Sequence, residues 1–388
     1  MNFFWDKNYY SGWFSTESVS EGHPDKLADQ IAEAVLDYVV KKDSNAHVAC
    51  EVIVMNQKIL IGGEIKANKM ALNRNFKDEL ISLANKVIKK DIGYSEQSWD
   101  NLQKLKIEVN IQAQSTEIDQ KVSLGKSEIG SGDNSTVYGW AENSNVSEYY
   151  PFSQSLANLI LKKINQLRKT NNNFNFGPDG KIQILLKDQK LKAILLCQQF
   201  ITDISTQKVK EQIHKEILNP LVEKLFIKDV NFDFFLTPFF KGGPIADTGL
   251  TGRKIAVDNY GTCVRNGGGS FAGKDVTKSD RTLALFARFI AKNIVKLNLT
   301  SEIEIQITSR IGQTKNFFIG YSTKKGEKIK INKIIRYFSS WTFKDIIEKL
   351  NLRKVSFQKY ASYGYFARAE EDAYWEKPFL IPALKKII

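Results

Sequence analysis

The sequence predicts an α/β (α+β) protein made of three similarly sized sheet-and-helix units, on two observations. A helix-period segment followed by β-branched strands occurs three times along the chain. The length of 388 residues also exceeds what one ordinary hydrophobic core accommodates.

The first unit opens at residues 25–40, where Leu27, Ile31, Val35 and Tyr38 recur at helical spacing and Pro24 suits the first helical position. Residues 47–55 and 58–65, dense in Val and Ile, read as two strands around a tight Asn56-Gln57 turn. In the second unit, 156–167 is helical, 181–187 and 192–200 are paired strands, and 209–218 is a helix stopped by Asn219-Pro220. In the third, 281–297 is helical, and Ile303, Ile305 and Ile307 alternate with polar residues as in a half-exposed strand. Boundaries are expected at 110–132, read as a lid, and at 238–244, with a loop at 169–180. The division is therefore 13–110, 122–238 and 239–380.

Composition narrows the function class. With 42% hydrophobic residues, 26% charged and eight prolines, the chain reads as folded and soluble. The net charge of +13 invites a polyanionic partner. However, lysines are scattered beside Asn and Ile, and aromatics are not interleaved with basic clusters as stacking platforms require. No nucleic-acid partner is expected. Cys50, Cys197 and Cys263 form no Cys-x-x-Cys pair, which implies neither a disulfide nor a zinc framework. No apolar run approaches the ~20 residues needed to span a bilayer, and the N-terminus lacks a targeting pattern, so no membrane is expected and the cytoplasm is the default location.

Two nucleotide motifs are rejected. Gly125-Lys126-Ser127 resembles the end of a P-loop, but Gln120 stands where the first glycine is required. Gly130-Ser131-Gly132-Asp133-Asn134-Ser135 supplies two of the three glycines of a dinucleotide fingerprint, with no strand leading directly into it. The run Glu21-Gly22-His23-Pro24-Asp25-Lys26 differs, because it sets an imidazole, a carboxylate and an ammonium where a helix begins. Orphan amides favour phosphate there, and Asp25 is suited to a metal bridging phosphate oxygens. A plain helix cap with an acidic first turn accounts for the same run, and both readings stand at this point. A second concentration lies at 242–281, where glycines allow close backbone approach to an anion. There Arg253, Lys254, Lys274 and Lys278 alternate with Asp247, Asp258, Asp275 and Asp280, the mixture a metal-bound polyphosphate needs. Of three histidines only His23 lies in such a run, so the chemistry is expected to rest on electrostatics more than proton transfer.

Blocks 17–26, 242–254 and 267–281 resemble, in order and nearly full span, the S-adenosylmethionine synthetase (methionine adenosyltransferase) family. The resemblance implies three pseudo-symmetric α/β domains and a homodimer, or a tetramer, with active sites between subunits. It implies that ATP and L-methionine are the substrates, that the methionine sulfur attacks C5′ of ATP, and that the tripolyphosphate is hydrolysed to pyrophosphate and phosphate. Two Mg²⁺ ions per site and one K⁺ are implied as cofactors. By motif, His23, Lys181, Arg253 and Lys274 carry the catalytic role, and Asp179, Gly180, Phe239, Lys254, Ser270 and Asp247 join them in binding ATP. Glu64, Gln120, Asp247 and Lys278 match methionine-holding positions, Asp25 and Asp280 the Mg²⁺ ligands, and Glu51 the potassium-site glutamate. The chain departs from the family pattern at 130–135, at Ala246, at Asn266, and at Pro238, where an Arg normally precedes the adenine-stacking Phe.

Overall fold

The computed structural model describes residues 12–68, 72–114, 123–124, 128–143, 148–170, 175–188, 190–203, 205–224, 232–368 and 370–388. Three sheets, each under a long helix, make up the fold, and the order strand, helix, hairpin recurs three times. The first pass runs Trp13–Val19, Pro24–Lys42, His47–Met55 and Lys58–Lys66. The second runs Ser135–Glu142, Phe152–Thr170, Phe176–Lys187 and Lys190–Phe200. The third runs Gly249–Leu250, Ser279–Lys296, Glu302–Ser309 and Phe318–Ser322. In the first two passes a further strand, Lys106–Ala113 or Asp233–Phe239, adds parallel to the outer hairpin strand.

The sheets are not confined to consecutive stretches. Trp13–Val19 leaves its own unit and forms the edge of the second hairpin's sheet. Ser135–Glu142 does the same for the third hairpin, and Gly249–Leu250 returns to the first. Each unit thus lends one antiparallel edge strand to the next in a closed ring, which shields three sheet edges that would otherwise stand open.

Local chemistry explains the helix that leads into the site. Pro24 opens Pro24–Lys42, the His23 Nδ1 accepts from the Asp25 amide at 3.2 Å, and Lys41 and Lys42 lie in the last turn. The helix Ser279–Lys296 is buried nearly all round. Its interior charges are paired: Arg288 donates twice to Glu376, at 3.0 and 2.9 Å, and Lys292 once, at 2.8 Å.

Three expectations are corrected. Pro220 does not stop its helix: a π-helical turn, His214–Leu218, follows Thr206–Ile213, and Asn219–Lys224 continues beyond it. The wider turn loosens the ladder in which a proline ring normally collides. Residues 176–180 are not loop but the start of a strand, with a register shift between Phe176 and Gly180. Their Gly and Pro content marks a bulge. Glu302–Ser309 is not half-exposed, since Glu302 and Glu304 are 4% and 7% exposed, covered through ion pairs with Lys324 and Arg265. Among the described residues no helix is long and apolar enough to cross a membrane.

Candidate active site

The strand His47–Met55 organises the site, because both glycine-rich blocks lie along its outer edge. Gly249–Leu250 pairs with Val54 and Ile53, and the Thr251 amide donates to the Val52 carbonyl at 3.1 Å. Further along, the Cys50 amide donates to the Gly273 carbonyl at 2.8 Å, Ala49 bridges Lys274, and the Asp275 amide reaches Val48 at 3.0 Å. The blocks also touch directly. Gly252 has φ +77°, and a Cβ there would lie 2.5 Å from that of Ser270, so only glycine fits.

Around the first block, charges converge on the helix start. Asp25 is fully buried and accepts from Lys254 Nζ at 2.5 Å and from the Leu250 amide at 3.0 Å, with Arg253 Nε 3.7 Å away. Burial pushes this carboxyl up, but Lys254 and the Leu250 amide outweigh it and hold Asp25 below its usual range. Burial, reinforced by the Lys254 charge, lowers His23 to about 4, which keeps the imidazole neutral and able to cap the helix. His23, Asp25 and the exposed Asp247 present ligand atoms within 4.8 Å of one another, the group among the described residues suited to a divalent ion. Asp179 anchors the block's other end by accepting from the Gly243 amide at 2.7 Å, and burial raises it to about 6.

The second block holds its own charges. Lys274 Nζ lies 2.6 Å from Asp280, and Lys278 Nζ 2.6 Å from Asp275. Although burial opposes it, Lys278 and the His47 charge draw Asp275 down to about 2. Glu51, one strand position from Cys50, is raised by burial against the pull of Lys274. Within the chain Asp25 takes Lys254, and Lys274 takes Asp280.

The remaining positions lie on the bordering sheets. Lys181 pairs with Glu17 at 2.8 Å across adjacent strands, and the Gly180 carbonyl accepts from the Ser20 amide at 2.9 Å. The half-buried Phe239 ring packs over Gly242, whereas Phe240 is 49% exposed. Glu64 sits on Lys58–Lys66 opposite Ala49. Gln120 lies outside the described residues, as do 115–122 and 125–127 of the expected lid. Sequence reasoning missed Tyr94, whose hydroxyl holds the Gly22 carbonyl, and Arg168, which grips Glu21 at 2.8 Å. Neither carries a local signal, being more than seventy residues away in sequence. It also took Lys26 only as the ammonium of the run 21–26 and assigned nothing to Asp29, although Asp25, Asp29, Glu33 and Asp37 recur every four residues on one helix face.

The chain matches known proteins along nearly its whole length. Residues 11–116 match the model for the S-adenosylmethionine synthetase N-terminal domain, 128–241 the central domain and 241–377 the C-terminal domain. The chain is 36% identical over 393 residues to the S-adenosylmethionine synthase of Mycoplasma mycoides, covering 98% of each chain. It is 36% identical over 385 residues to that of Mesoplasma florum (96% and 99%) and 35% over 376 residues to that of Helicobacter pylori (94% and 95%). With three matching domains in order and relatives aligned end to end, this chain belongs to the S-adenosylmethionine synthetase family.

Proposed function

We propose that this chain is a methionine adenosyltransferase that forms S-adenosylmethionine from ATP and L-methionine, then hydrolyses the tripolyphosphate to pyrophosphate and phosphate. The observation that carries the reading is the alignment of both glycine-rich blocks on one strand edge, which sets the Lys254–Asp25 and Lys274–Asp280 pairs along that edge. A thioether sulfur carries no proton, so its attack on C5′ needs alignment and stabilisation of the leaving group, not a general base. His23, Lys181, Arg253 and Lys274 are assigned to the phosphates. Asp179, Gly180, Phe239, Asp247, Lys254 and Ser270 border the nucleotide. Glu64, Gln120, Asp247 and Lys278 hold methionine.

The donor set fits the expected ions. Carboxylates suit hard Mg²⁺, and Asp25 stays ionised despite full burial. Asp25 and Asp280 would hold Mg²⁺, two ions per site, and Glu51 one K⁺; bound there, they would neutralise charge on the departing polyphosphate. We further propose units at 13–110, 122–238 and 239–380, a cytoplasmic location, and a homodimer with sites at its interface, a tetramer being the alternative. Neither nucleic acid nor membrane enters this reading.

A coupled assay with ATP, methionine, Mg²⁺ and K⁺ tests it, and S-adenosylmethionine is the expected product. No product under those conditions would favour a regulatory or scaffolding homologue instead.

A further inference from the structure

Lys26 closes the Gly-His-Pro-Asp-Lys run, yet its side chain is fully buried and turned away from the surface that carries Lys254 and Arg253. It lies 2.8 Å from Asp29 and 2.5 Å from Asp258. The second oxygen of Asp29 accepts from the Gly252 amide at 2.8 Å. Asp258 ends the short helix Ile255–Asp258, and its own amide donates to the Lys254 carbonyl at 3.0 Å. The buried pair therefore grips one segment at both ends: Gly252 through its amide and Asp258 through its carboxylate. Between those grips stand Arg253 and Lys254.

Resting on the function proposed above, we infer that Lys26 and Asp29 are positioning residues that aim Arg253 and Lys254 at the polyphosphate. Burying three charges contributes little net stability, because desolvation offsets most of their attraction. What it supplies is direction. Asp29 has one oxygen for Lys26 and one for Gly252, so the helix Pro24–Lys42 sets the height of the turn as well as its tether. On the opposite side Gly252 abuts Ser270, and the turn cannot drift toward the second block. Lys254 then meets Asp25 one helical turn before Asp29 on the same helix. Arg253 is left 51% exposed and free to meet an anion.

The test uses the full-length protein and calorimetric titration with inorganic tripolyphosphate and, separately, with methionine. Asp29→Ala is expected to weaken tripolyphosphate binding by about tenfold or more, the scale of one lost charge-assisted hydrogen bond, with methionine affinity within about twofold of the parent. Asp29→Asn keeps an oxygen for the Gly252 amide but turns its amide nitrogen toward Lys26, so its affinity should fall between those of Asp29→Ala and the parent. Unchanged tripolyphosphate binding in Asp29→Ala would overturn the clamp, and so would equal losses for both ligands, the mark of a merely structural role. If Asp29→Ala does not fold, Lys26→Met decides by the same titration: a loss selective for tripolyphosphate supports the clamp, and parent-like binding overturns it. Parent protein that binds no tripolyphosphate would overturn both clamp and proposed function, whereas a binding parent with an unaltered variant overturns the clamp alone.

Discussion

The first glycine-rich block, 242–254, is held from outside, by Asp25 and Asp29 of the helix Pro24–Lys42 and by Asp179 of the second sheet. The second, 267–281, pairs its own lysines, with Lys274 on Asp280 and Lys278 on Asp275. Both present cations to one surface, but their cations answer to different dielectric surroundings. Asp25 is fully buried, so removing Lys254 strands a charge in the interior. Asp280 keeps contact with water, so removing Lys274 strands nothing. The Lys254–Asp25 pair is thus coupled to stability, and the Lys274–Asp280 pair is nearly independent of it.

Substitutions separate the two. Lys274→Ala should lower turnover in the S-adenosylmethionine assay by roughly 10²–10³-fold, as expected for loss of a donor to developing charge, with no change in the denaturation midpoint. Lys254→Ala should lower turnover similarly and also cost about 2 kcal/mol of stability in urea titration, because Asp25 loses its strongest partner. Equal stability of the two variants would erase the distinction.

A pH experiment sharpens it further. Asp179, raised from 3.8 to about 6 by burial, binds more protons folded than unfolded between those values, so its contribution to stability falls as pH rises through that window. Asp179→Asn, locked in the neutral form, should therefore exceed the parent by about 3 kcal/mol at pH 7.5, and the advantage should vanish toward pH 4. A constant difference across the range would show that Asp179 is not strained by burial. The smallest effect is expected outside both blocks. Lys181 is 44% exposed beside Glu17, and Glu17→Gln should change stability by less than about 0.5 kcal/mol in the same titration.

Much of this was legible before any tertiary contact was known. The helix at Pro24–Lys42 and the hairpin at 47–66 follow from apolar period and cap chemistry, and both form close to where those signals place them. The self-contained pairs of the second block lie three or six residues apart, within reach of local sequence reading. Pro220 and the strand at 176–180 were misread because a π-turn and a bulge alter what proline and glycine mean locally. Lys254 on Asp25 spans 229 residues, and no local pattern announces it.

The sequence by itself determined the α/β class, the three-fold recurrence of helix and strands, the glycine-rich blocks and the family they resemble. Those properties depend on residues within a few positions of one another, where period, caps and backbone freedom act directly. Only the tertiary structure decided that edge strands pass from unit to unit in a ring, that both blocks share one strand edge, and that Lys26 faces inward. Those outcomes depend on which distant surfaces exclude water together, and on which buried charge finds its partner once they have done so.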